Sequence, residues 1–315
     1  MGNVRLAIVC PGQAGQRRDM LDNLFVDHDL YDLRCAASDI LGKDVEAWWR
    51  DLGEDAIFVS AHAQFAIALH QIAAWTRISR LVSQVSLVAG YSIGELSAYH
   101  VAGAIDGRTT LGLVQQRARL MDRAAAGLGG VGGCMLLWRG RCSPDELAAR
   151  DRIMASSGID TAIIRSRSEQ VLAGPAHMID SLLANPAITN PNHVRLAITV
   201  PSHSRYLMPA VEPFRAALRK SGLAAPAVPV LAGIDAMRVR TREQAVDTLS
   251  RQIATTVRWD RCMATLAESG IDTVIELGPG NDLSRLIETE HPRIAARSVD
   301  EFRDWRSLGD WLDSR

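Results

Sequence analysis

The stretch that most constrains this chain runs from Val85 to Val101 and reads VSLVAGYSIGELSAYHV. Apolar residues are followed at once by a G-x-S-x-G turn, Gly90 to Gly94, and then by residues that favour a helix. This order predicts a strand, a sharp turn and a helix, in which the two glycines permit a backbone too tightly bent for side chains. Ser92 is then held out at the start of the helix, and the backbone N–H of Ile93 points into the same space.

The turn alone is only moderately specific, because glycine and serine are common in loops. Its position between a predicted strand and a predicted helix is the context that the motif requires. We therefore interpret Ser92 as a nucleophile and the Ile93 N–H as an oxyanion donor. The rest of the chain is then expected to supply a base, a second oxyanion donor and a group that binds the substrate.

Composition and charge disfavour several classes of function. The 315 residues include 35 lysines and arginines against 36 acidic residues, with no basic run, so nucleic-acid binding is not indicated. The longest apolar window, residues 63–75, is too short to cross a bilayer and contains Gln64, His70 and Gln71. No membrane role is expected.

The N-terminal segment and the cysteines indicate a cytoplasmic protein. The chain enters a strand-like LAIVC without an apolar signal region. The cysteines are scattered and odd in number and lack a C-x-x-C pair, which argues against a disulfide framework or a zinc site. They are Cys10, Cys35, Cys134, Cys142 and Cys262.

Strand-like and helix-like segments alternate along the chain, which predicts an α/β fold with a mostly parallel sheet covered on both faces. Leu6–Cys10 reads as the first strand, and Pro11–Gln16 as a loop at its carboxyl end, where such sheets bind ligands. Residues 20–41 are predicted to form one surface helix and residues 60–78 a buried one.

A glycine-rich break at residues 127–133 separates two kinds of pattern. The strands and helices that follow it occur in the order of a split βαβ unit. We therefore expect a catalytic domain made of residues 1–126 and 200–315, with a ferredoxin-like subdomain inserted at residues 127–199.

A serine hydroxyl needs a base, and histidine has the pKa that suits this task near neutrality. Seven of the eight histidines lie in predicted helices or surface turns. His203 instead follows a predicted strand and Pro201, in a loop that can face the serine turn. His203 is therefore the preferred base.

Six segments occur in the order seen in malonyl-CoA:acyl-carrier-protein transacylases, and they span nearly the whole chain. They are PGQAGQ at 11–16, GYSIGE at 90–95, QQRARLM at 115–121, VPSH at 200–203, RQIATTVRW at 251–259 and ELGPG at 276–280. The chain resembles this family. The resemblance implies an α/β-hydrolase-like core that carries an inserted ferredoxin-like subdomain.

The resemblance also implies roles for single residues. Ser92 matches the nucleophile and His203 the general base and acid, as a pair that lacks the carboxylate of a full triad. Gln13 lies where the family has an active-site glutamine, beside an oxyanion hole whose backbone donor here would be Ile93. Gln252 matches a glutamine whose backbone orients the histidine.

Arg117 is predicted on the apolar stripe of a helix, where a cation is costly to bury unless an anion meets it. The resemblance matches Arg117 to the arginine that binds the free carboxylate of the malonyl group. A guanidinium can bind a carboxylate through two parallel hydrogen bonds and so select a dicarboxylic acyl group. The alternative is a structural salt bridge to Glu95 or Asp122.

Several positions depart from the family pattern, and two of them, Ala14 and Ala118, replace glycines. Tyr91 stands where the family generally has histidine, and Arg165-Ser166-Arg167 stands where many members have Asn-Ser-Pro. Ser60-Ala61-His62 stands in place of a Thr-Gln-Pro segment. None of these changes removes the serine, the histidine or Arg117, but together they indicate a specialised branch.

The implied reaction is a ping-pong transfer of a malonyl group from coenzyme A to the phosphopantetheine thiol of an acyl carrier protein. The enzyme would be an [acyl-carrier-protein] S-malonyltransferase, a cytoplasmic monomer that needs no metal or redox cofactor. Two alternatives use the same scaffold: an editing hydrolase of acyl thioesters, and the malonyl-transfer subunit of a malonate decarboxylase. A non-catalytic interaction module is disfavoured, because the serine, the histidine, both glutamines and the arginine are all present.

Overall fold

Two β-sheets, one large and one small, organise the chain. The structure is a computed structural model that describes residues 5–82, 84–128, 132–140, 143–189 and 192–315. Cys142 and part of the predicted break at 127–133 lie outside these residues. The strands are β1 (Leu6–Cys10), β2 (Leu87–Gly90), β3 (Gly133–Arg139), β4 (Asp160–Ile164), β5 (Glu169–Pro175), β6 (His193–Arg195), β7 (Val230–Leu231), β8 (Arg238–Val239), β9 (Val257–Arg258), β10 (Thr273–Glu276) and β11 (Ala295–Ser298).

Helices pack on both sheets and connect most of the strands. They are α1 (Asp22–Val26), α2 (Tyr31–Leu41), α3 (Val45–Asp51), α4 (Ser60–Ile78), α5 (Gly94–Val101), α6 (Gly107–Ala126), α7 (Pro144–Ser157), α8 (Ala176–Leu183), α9 (Met208–Lys220), α10 (Arg242–Gln252), α11 (Trp259–Glu268), α12 (Asp282–Glu290) and α13 (Trp305–Asp313). None of the helices in the described ranges combines the length and the apolarity needed to cross a bilayer.

The large sheet has the strand order β11-β10-β1-β2-β7-β8. Its first five strands pair in parallel, and β8 pairs antiparallel to β7 at one edge. β1 reads LAIVC and is buried along its whole length, since neighbouring side chains point into cores on opposite faces of the sheet. The predicted α/β fold with a mostly parallel sheet covered on both faces is confirmed.

Three loops meet at the carboxyl edge of this sheet. Because β10, β1 and β2 are neighbours and run in the same direction, the loops that follow them lie side by side. They are residues 278–280, residues 11–16 and the serine turn. Ligands bind at such an edge in open α/β sheets.

The small sheet has the strand order β6-β3-β5-β4-β9. Its first four strands, with α7 and α8 between them, have the connectivity and antiparallel pairing of a ferredoxin-like unit, as predicted. The fifth strand, β9, comes from residues 257–258 and pairs in parallel with β4. The small sheet therefore draws one strand from outside residues 127–199, and the domain boundaries stay a prediction.

The single surface helix predicted for residues 20–41 is wrong, whereas the predicted helix over residues 60–78 is confirmed as α4. The chain instead forms α1, a 3₁₀ turn at His28–Leu30 and then α2. Asp27 has extended backbone angles, φ −87° and ψ 114°, and its side chain accepts a hydrogen bond from the Asp29 N–H. A side chain that caps the following turn in this way ends the first helix.

Candidate active site

The serine turn has the strained shape that the sequence predicts. Ser92 lies between β2 and α5 with φ +57°, in the left-handed region that L-residues rarely adopt. A Cβ added at Gly90 would lie 2.2 Å from the Glu95 Cα, and one added at Gly94 would lie 2.1 Å from the Cys10 carbonyl oxygen. Only glycine fits at both positions, so the turn is held by backbone packing and presents Ser92 at the sheet edge.

His203 lies directly against Ser92. The Ser92 Oγ and the His203 Nε2 are 2.8 Å apart, and the His203 Nδ1 is 2.6 Å from the Gln252 carbonyl oxygen. A carbonyl only accepts, so Nδ1 carries the proton and Nε2 is left to accept the proton of Ser92. His203 is itself held in a left-handed conformation, φ +60°, and its backbone N–H donates to the Ile253 carbonyl.

The environment of His203 keeps its imidazole neutral. Burial first, and the nearby Arg117 guanidinium second, lower the pKa of His203 to about 3. A backbone carbonyl, not a carboxylate, accepts the hydrogen bond from Nδ1. The pair is therefore a serine–histidine dyad whose base is ready to accept a proton at neutral pH.

Two groups near Ser92 are free to donate to an oxyanion. In the described part of the chain, the Ile93 N–H donates to no backbone carbonyl, because it precedes the first turn of α5. Gln13 lines the same cavity as Ser92, and its buried Nε2 has no partner among the described residues. The loop that carries Gln13 touches the serine turn, since a Cβ on Gly12 would lie 2.9 Å from the Tyr91 ring.

Gln71, to which the sequence analysis gave no catalytic role, ties two of the edge loops together. Its Nε2 donates to the Pro11 carbonyl at 2.7 Å and to the Gly278 carbonyl at 3.1 Å. The side chain is fully buried in α4. A polar amide in an apolar helix was the available signal, although the sequence did not show which loops Gln71 would hold.

Arg117 is almost completely buried on α6, at 2% exposure. Its Nη1 donates to the Gln64 Oε1 at 2.5 Å, and its Nη2 donates to the Gln252 Oε1 at 3.3 Å. Among the described residues the guanidinium donates to no carboxylate, so the predicted alternative of a direct salt bridge to Glu95 or Asp122 is not formed. Burial lowers the pKa of Arg117 to about 10, and the nearby Glu95 opposes that shift.

Gln252 connects Arg117 to the dyad. Besides its backbone bond to His203, its side-chain Nε2 donates to the Ser92 carbonyl at 3.0 Å and to the Glu95 Oε2 at 2.5 Å. Gln64, the other partner of Arg117, lies one helical turn after Ser60 in α4, and its Nε2 donates to the Ser60 Oγ at 2.8 Å. Sequence reasoning noted Gln64 as a polar residue in an apolar helix and did not connect it with the site.

A cavity of about 300 Å³ opens in front of the dyad, between the two sheets. Ser92, His203 and the loops at residues 11–15 and 279–280 form one wall, and apolar side chains of the small sheet form the other. Arg117, Gln252 and Ile93 do not line this cavity. The structure thus brings Ser92, His203 and Gln13 to the cavity, and it holds Arg117 behind the cavity wall, connected to the serine turn through Gln252.

Two of the departures from the family pattern contact each other at this cavity. The Arg165 guanidinium carbon lies 5.7 Å from the centre of the Tyr91 ring. Arg165 also donates to Glu169 at 3.0 Å and to both carboxylate oxygens of Asp282 at 3.0 and 2.8 Å. The Tyr91 ring packs edge-on against Trp259. Arg165 therefore joins the small sheet to α12 across the cavity wall.

A serine–histidine dyad at the edge of an α/β-hydrolase-like sheet, with a ferredoxin-like unit over it, is typical of enzymes that attack an acyl group through a serine. The Acyl transferase domain family matches residues 8–311, and the chain belongs to that family. The residues the structure describes contain no group of three or more His, Cys, Asp or Glu side chains that could hold a metal ion.

Named relatives and solved structures agree with this assignment. The Mycobacterium tuberculosis malonyl CoA-acyl carrier protein transacylase is 27% identical over 313 residues, which cover 97% of this chain and 99% of that protein. The crystal structure of the Xanthomonas oryzae malonyl-CoA:acyl carrier protein transacylase is 27% identical, with a TM-score of 0.87 over 100% of this chain and 99% of that one. A malonyl-transacylase in complex with its type II polyketide synthase acyl-carrier protein is 26% identical, with a TM-score of 0.88 over 99% of this chain and 100% of that one. The resemblance to the malonyl-CoA:acyl-carrier-protein transacylases is confirmed.

Proposed function

We propose that this protein transfers a malonyl group from coenzyme A to the phosphopantetheine thiol of an acyl carrier protein, as an [acyl-carrier-protein] S-malonyltransferase. The observation that carries the proposal is the dyad of Ser92 and His203 beside a buried Arg117 that donates to no carboxylate among the described residues. The dyad supplies acyl-transfer chemistry. Arg117 supplies a buried positive charge that favours an acyl group with its own carboxylate.

In the first half-reaction, the His203 Nε2 takes the proton of Ser92 while the Oγ attacks the thioester carbonyl carbon. The Ile93 N–H and a donor of Gln13 stabilise the resulting oxyanion. The carbon–sulfur bond then breaks, His203 returns the proton to the leaving sulfur, and malonyl-Ser92 remains. In general, the base contributes about 10²–10⁴-fold to such a step, and one oxyanion donor about 10²–10³-fold.

In the second half-reaction, the thiol of the carrier attacks the ester by the same steps in reverse. His203 takes the thiol proton and gives it to the Ser92 Oγ as the ester bond breaks. The solved complex of a related malonyl-transacylase with its carrier protein supports this acceptor. These steps use only side chains and backbone amides of the chain, so we propose that no cofactor takes part.

Arg117 selects the acyl group in this proposal. A guanidinium has five N–H donors in a rigid fork, and the hydrogen bonds to Gln64 and Gln252 use two of them. Both partners are neutral amides, so they hold the side chain in place and leave its charge for a carboxylate. An acetyl group has no carboxylate to pair with the guanidinium, so its transfer is disfavoured.

The relatives reported above are named as transacylases, which favours transfer over hydrolysis or a malonate decarboxylase subunit. We place the activity in the cytoplasm, where coenzyme A thioesters and carriers meet. The expected monomer stays a prediction.

The test is acylation of Ser92 by malonyl-CoA, followed by intact mass in a single turnover. We expect one malonyl group on the wild-type chain, transfer of that group to a holo carrier protein rather than release as malonate, and no adduct on Ser92→Ala. A malonyl adduct on Ser92→Ala would refute the assignment of the nucleophile. Release of free malonate at the rate at which the adduct decays would identify a hydrolase.

A further inference from the structure

The Gln252 carboxamide forms hydrogen bonds with both the serine turn and Arg117. Its Nε2 faces two acceptors, the Ser92 carbonyl at 3.0 Å and the Glu95 Oε2 at 2.5 Å. Its Oε1 faces a donor, the Arg117 Nη2 at 3.3 Å. The amide is buried, at 1% exposure, so water does not compensate for a wrong orientation.

A carboxamide has nearly the same shape in its two flipped orientations, so its neighbours decide which one is stable. If Gln252 were flipped, its oxygen would face the Glu95 carboxylate and the Ser92 carbonyl, while its NH₂ would face the Arg117 guanidinium. Acceptors would then meet acceptors and donors would meet donors. Glu95 contributes most to this preference, because its Oε2 is the nearer of the two acceptors. Burial raises the pKa of Glu95 to about 7, so the accepting oxygen, rather than a full negative charge, is what the orientation depends on.

Glu95 is itself held in position. Its Oε2 accepts a second hydrogen bond, from the Gly233 N–H at 3.0 Å, and the side chain is 1% exposed. A Cβ on residue 233 would lie 2.7 Å from that oxygen and 3.5 Å from the Gln252 Nε2. A glycine at 233 therefore lets the carboxylate approach both the backbone donor and the amide.

We propose that Glu95, seated on the Gly233 N–H, is a positioning residue for malonyl transfer that keeps the Gln252 carboxamide oxygen turned toward Arg117. This inference rests on the proposed function, since it assigns to Glu95 control over the group that binds the malonyl carboxylate. Arg117 is then anchored by an acceptor on each side, Gln64 and Gln252. Without Glu95 only the Ser92 carbonyl and Arg117 itself oppose the flipped amide, so the Arg117 fork is less firmly held by one of its two anchors.

The geometry separates this role from a simple charge effect. The Glu95 Oε1 has no partner among the described residues, so both hydrogen bonds depend on Oε2 alone. In Glu95→Gln a carboxamide oxygen can still accept from Gly233 and Gln252, although the charge is gone. In Glu95→Met neither the charge nor the acceptor remains, at similar volume.

The experiment compares the rates at which malonyl-CoA and acetyl-CoA acylate Ser92 in wild-type, Glu95→Gln and Glu95→Met proteins. We expect Glu95→Met to lower the malonyl:acetyl rate ratio about tenfold, the size of one hydrogen bond to a charged group. We expect Glu95→Gln to stay within about threefold of wild type. Equal loss in both variants would show that the charge of Glu95 matters, not its acceptor, and an unchanged ratio in Glu95→Met would refute the role altogether.

Two further variants keep the test decisive. Gly233→Ala leaves residue 95 unchanged but adds a methyl group that pushes the Glu95 carboxylate away from the Gly233 N–H. It should also lower the malonyl:acetyl rate ratio. This variant takes the place of Glu95→Met if that protein does not fold. In a Gln252→Ala background, Glu95→Met should cause no additional loss of selectivity. If the wild-type chain forms no adduct, the proposed function fails; if it forms one and every ratio is equal, only the role of Glu95 fails.

Discussion

Two buried arginines flank the candidate site, and they differ in what neutralises them. Arg165, at the cavity wall, donates to the carboxylates of Glu169 and Asp282 and lies over the Tyr91 ring. Arg117, behind the serine turn, donates only to two neutral amides among the described residues. The first is a completed ion pair, whereas the second is a cation that Gln252 separates from the nearest acid, Glu95.

Their pKa values shift in opposite directions for this reason. Burial alone would lower the pKa of Arg165, but Tyr91, Asp282 and Glu169 outweigh burial and raise it. Burial lowers the pKa of Arg117 to about 10, and Glu95 offsets only part of that shift. A buried charge that the fold leaves unpaired is costly, so Arg117 is the position where a ligand carboxylate has most to contribute.

The strongest test of this difference between the two arginines is the removal of Arg117, where the largest effect is expected. Arg117→Ala should lower the rate of Ser92 acylation by malonyl-CoA by roughly 10²–10³-fold, because the malonyl carboxylate loses a buried charged partner. The rate with acetyl-CoA should change little. Single-turnover mass measurements with both thioesters check these rates. Arg117→Lys keeps the charge but not the fork, so its rate with malonyl-CoA should lie between those of wild type and Arg117→Ala. Equal losses for both thioesters would mean that Arg117 is structural.

A smaller and different effect is expected at Arg165. Arg165→Met removes the cation that joins Glu169 to Asp282, while Glu169 keeps its ion pair with Arg139 at 3.1 Å, so the free energy of unfolding should fall by about 1–3 kcal/mol. This expected loss is smaller than for a fully buried ion pair, because the Asp282 side chain is 58% exposed. Urea denaturation measures the free energy of unfolding of both proteins. The matched control is Arg167→Met, which removes an exposed arginine two positions away. A loss of malonyl selectivity larger than about threefold would show that Arg165 also acts on the substrate.

The smallest expected effect is a shift in pH dependence. His203 must be neutral to accept the serine proton, and its pKa of about 3 is depressed by burial and by the positive charge of Arg117. Removing that charge makes the imidazolium easier to form, so the acid limb of kcat/KM for acetyl-CoA should move to higher pH in Arg117→Ala. Arg165→Met should leave the limb unchanged. A limb that stays in place in Arg117→Ala would show that the two side chains are not electrostatically coupled.

Most of the residues of the candidate site could be picked out from the sequence. The serine turn is local: Gly90 and Gly94 lie within two residues of Ser92, and their lack of a Cβ is what permits the bend. The α/β fold followed from the alternation of apolar strands and amphipathic helices. The single helix predicted for residues 20–41 failed, because one side chain, Asp27, caps a new turn and the apolar pattern does not report such a cap.

The partners of the buried polar groups could not be predicted. The sequence offers Glu95 and Asp122 as nearby acids for Arg117, yet its acceptors are Gln64, 53 positions away, and Gln252, 135 positions away. Tyr91 and Arg165 were noticed as separate departures, and only the packing of the small sheet on the large one brings them into contact.

The chain by itself thus determined the bend that presents Ser92, the alternation that builds the sheet and the residue types of the site. The tertiary structure alone decided which way the Gln252 amide faces, which arginine is neutralised and which loops Gln71 joins. Backbone sterics act over a few residues, so their effect can be predicted from a short segment of sequence. Hydrogen bonds between buried polar groups depend on where distant helices and strands come to rest, and only the folded chain specifies that.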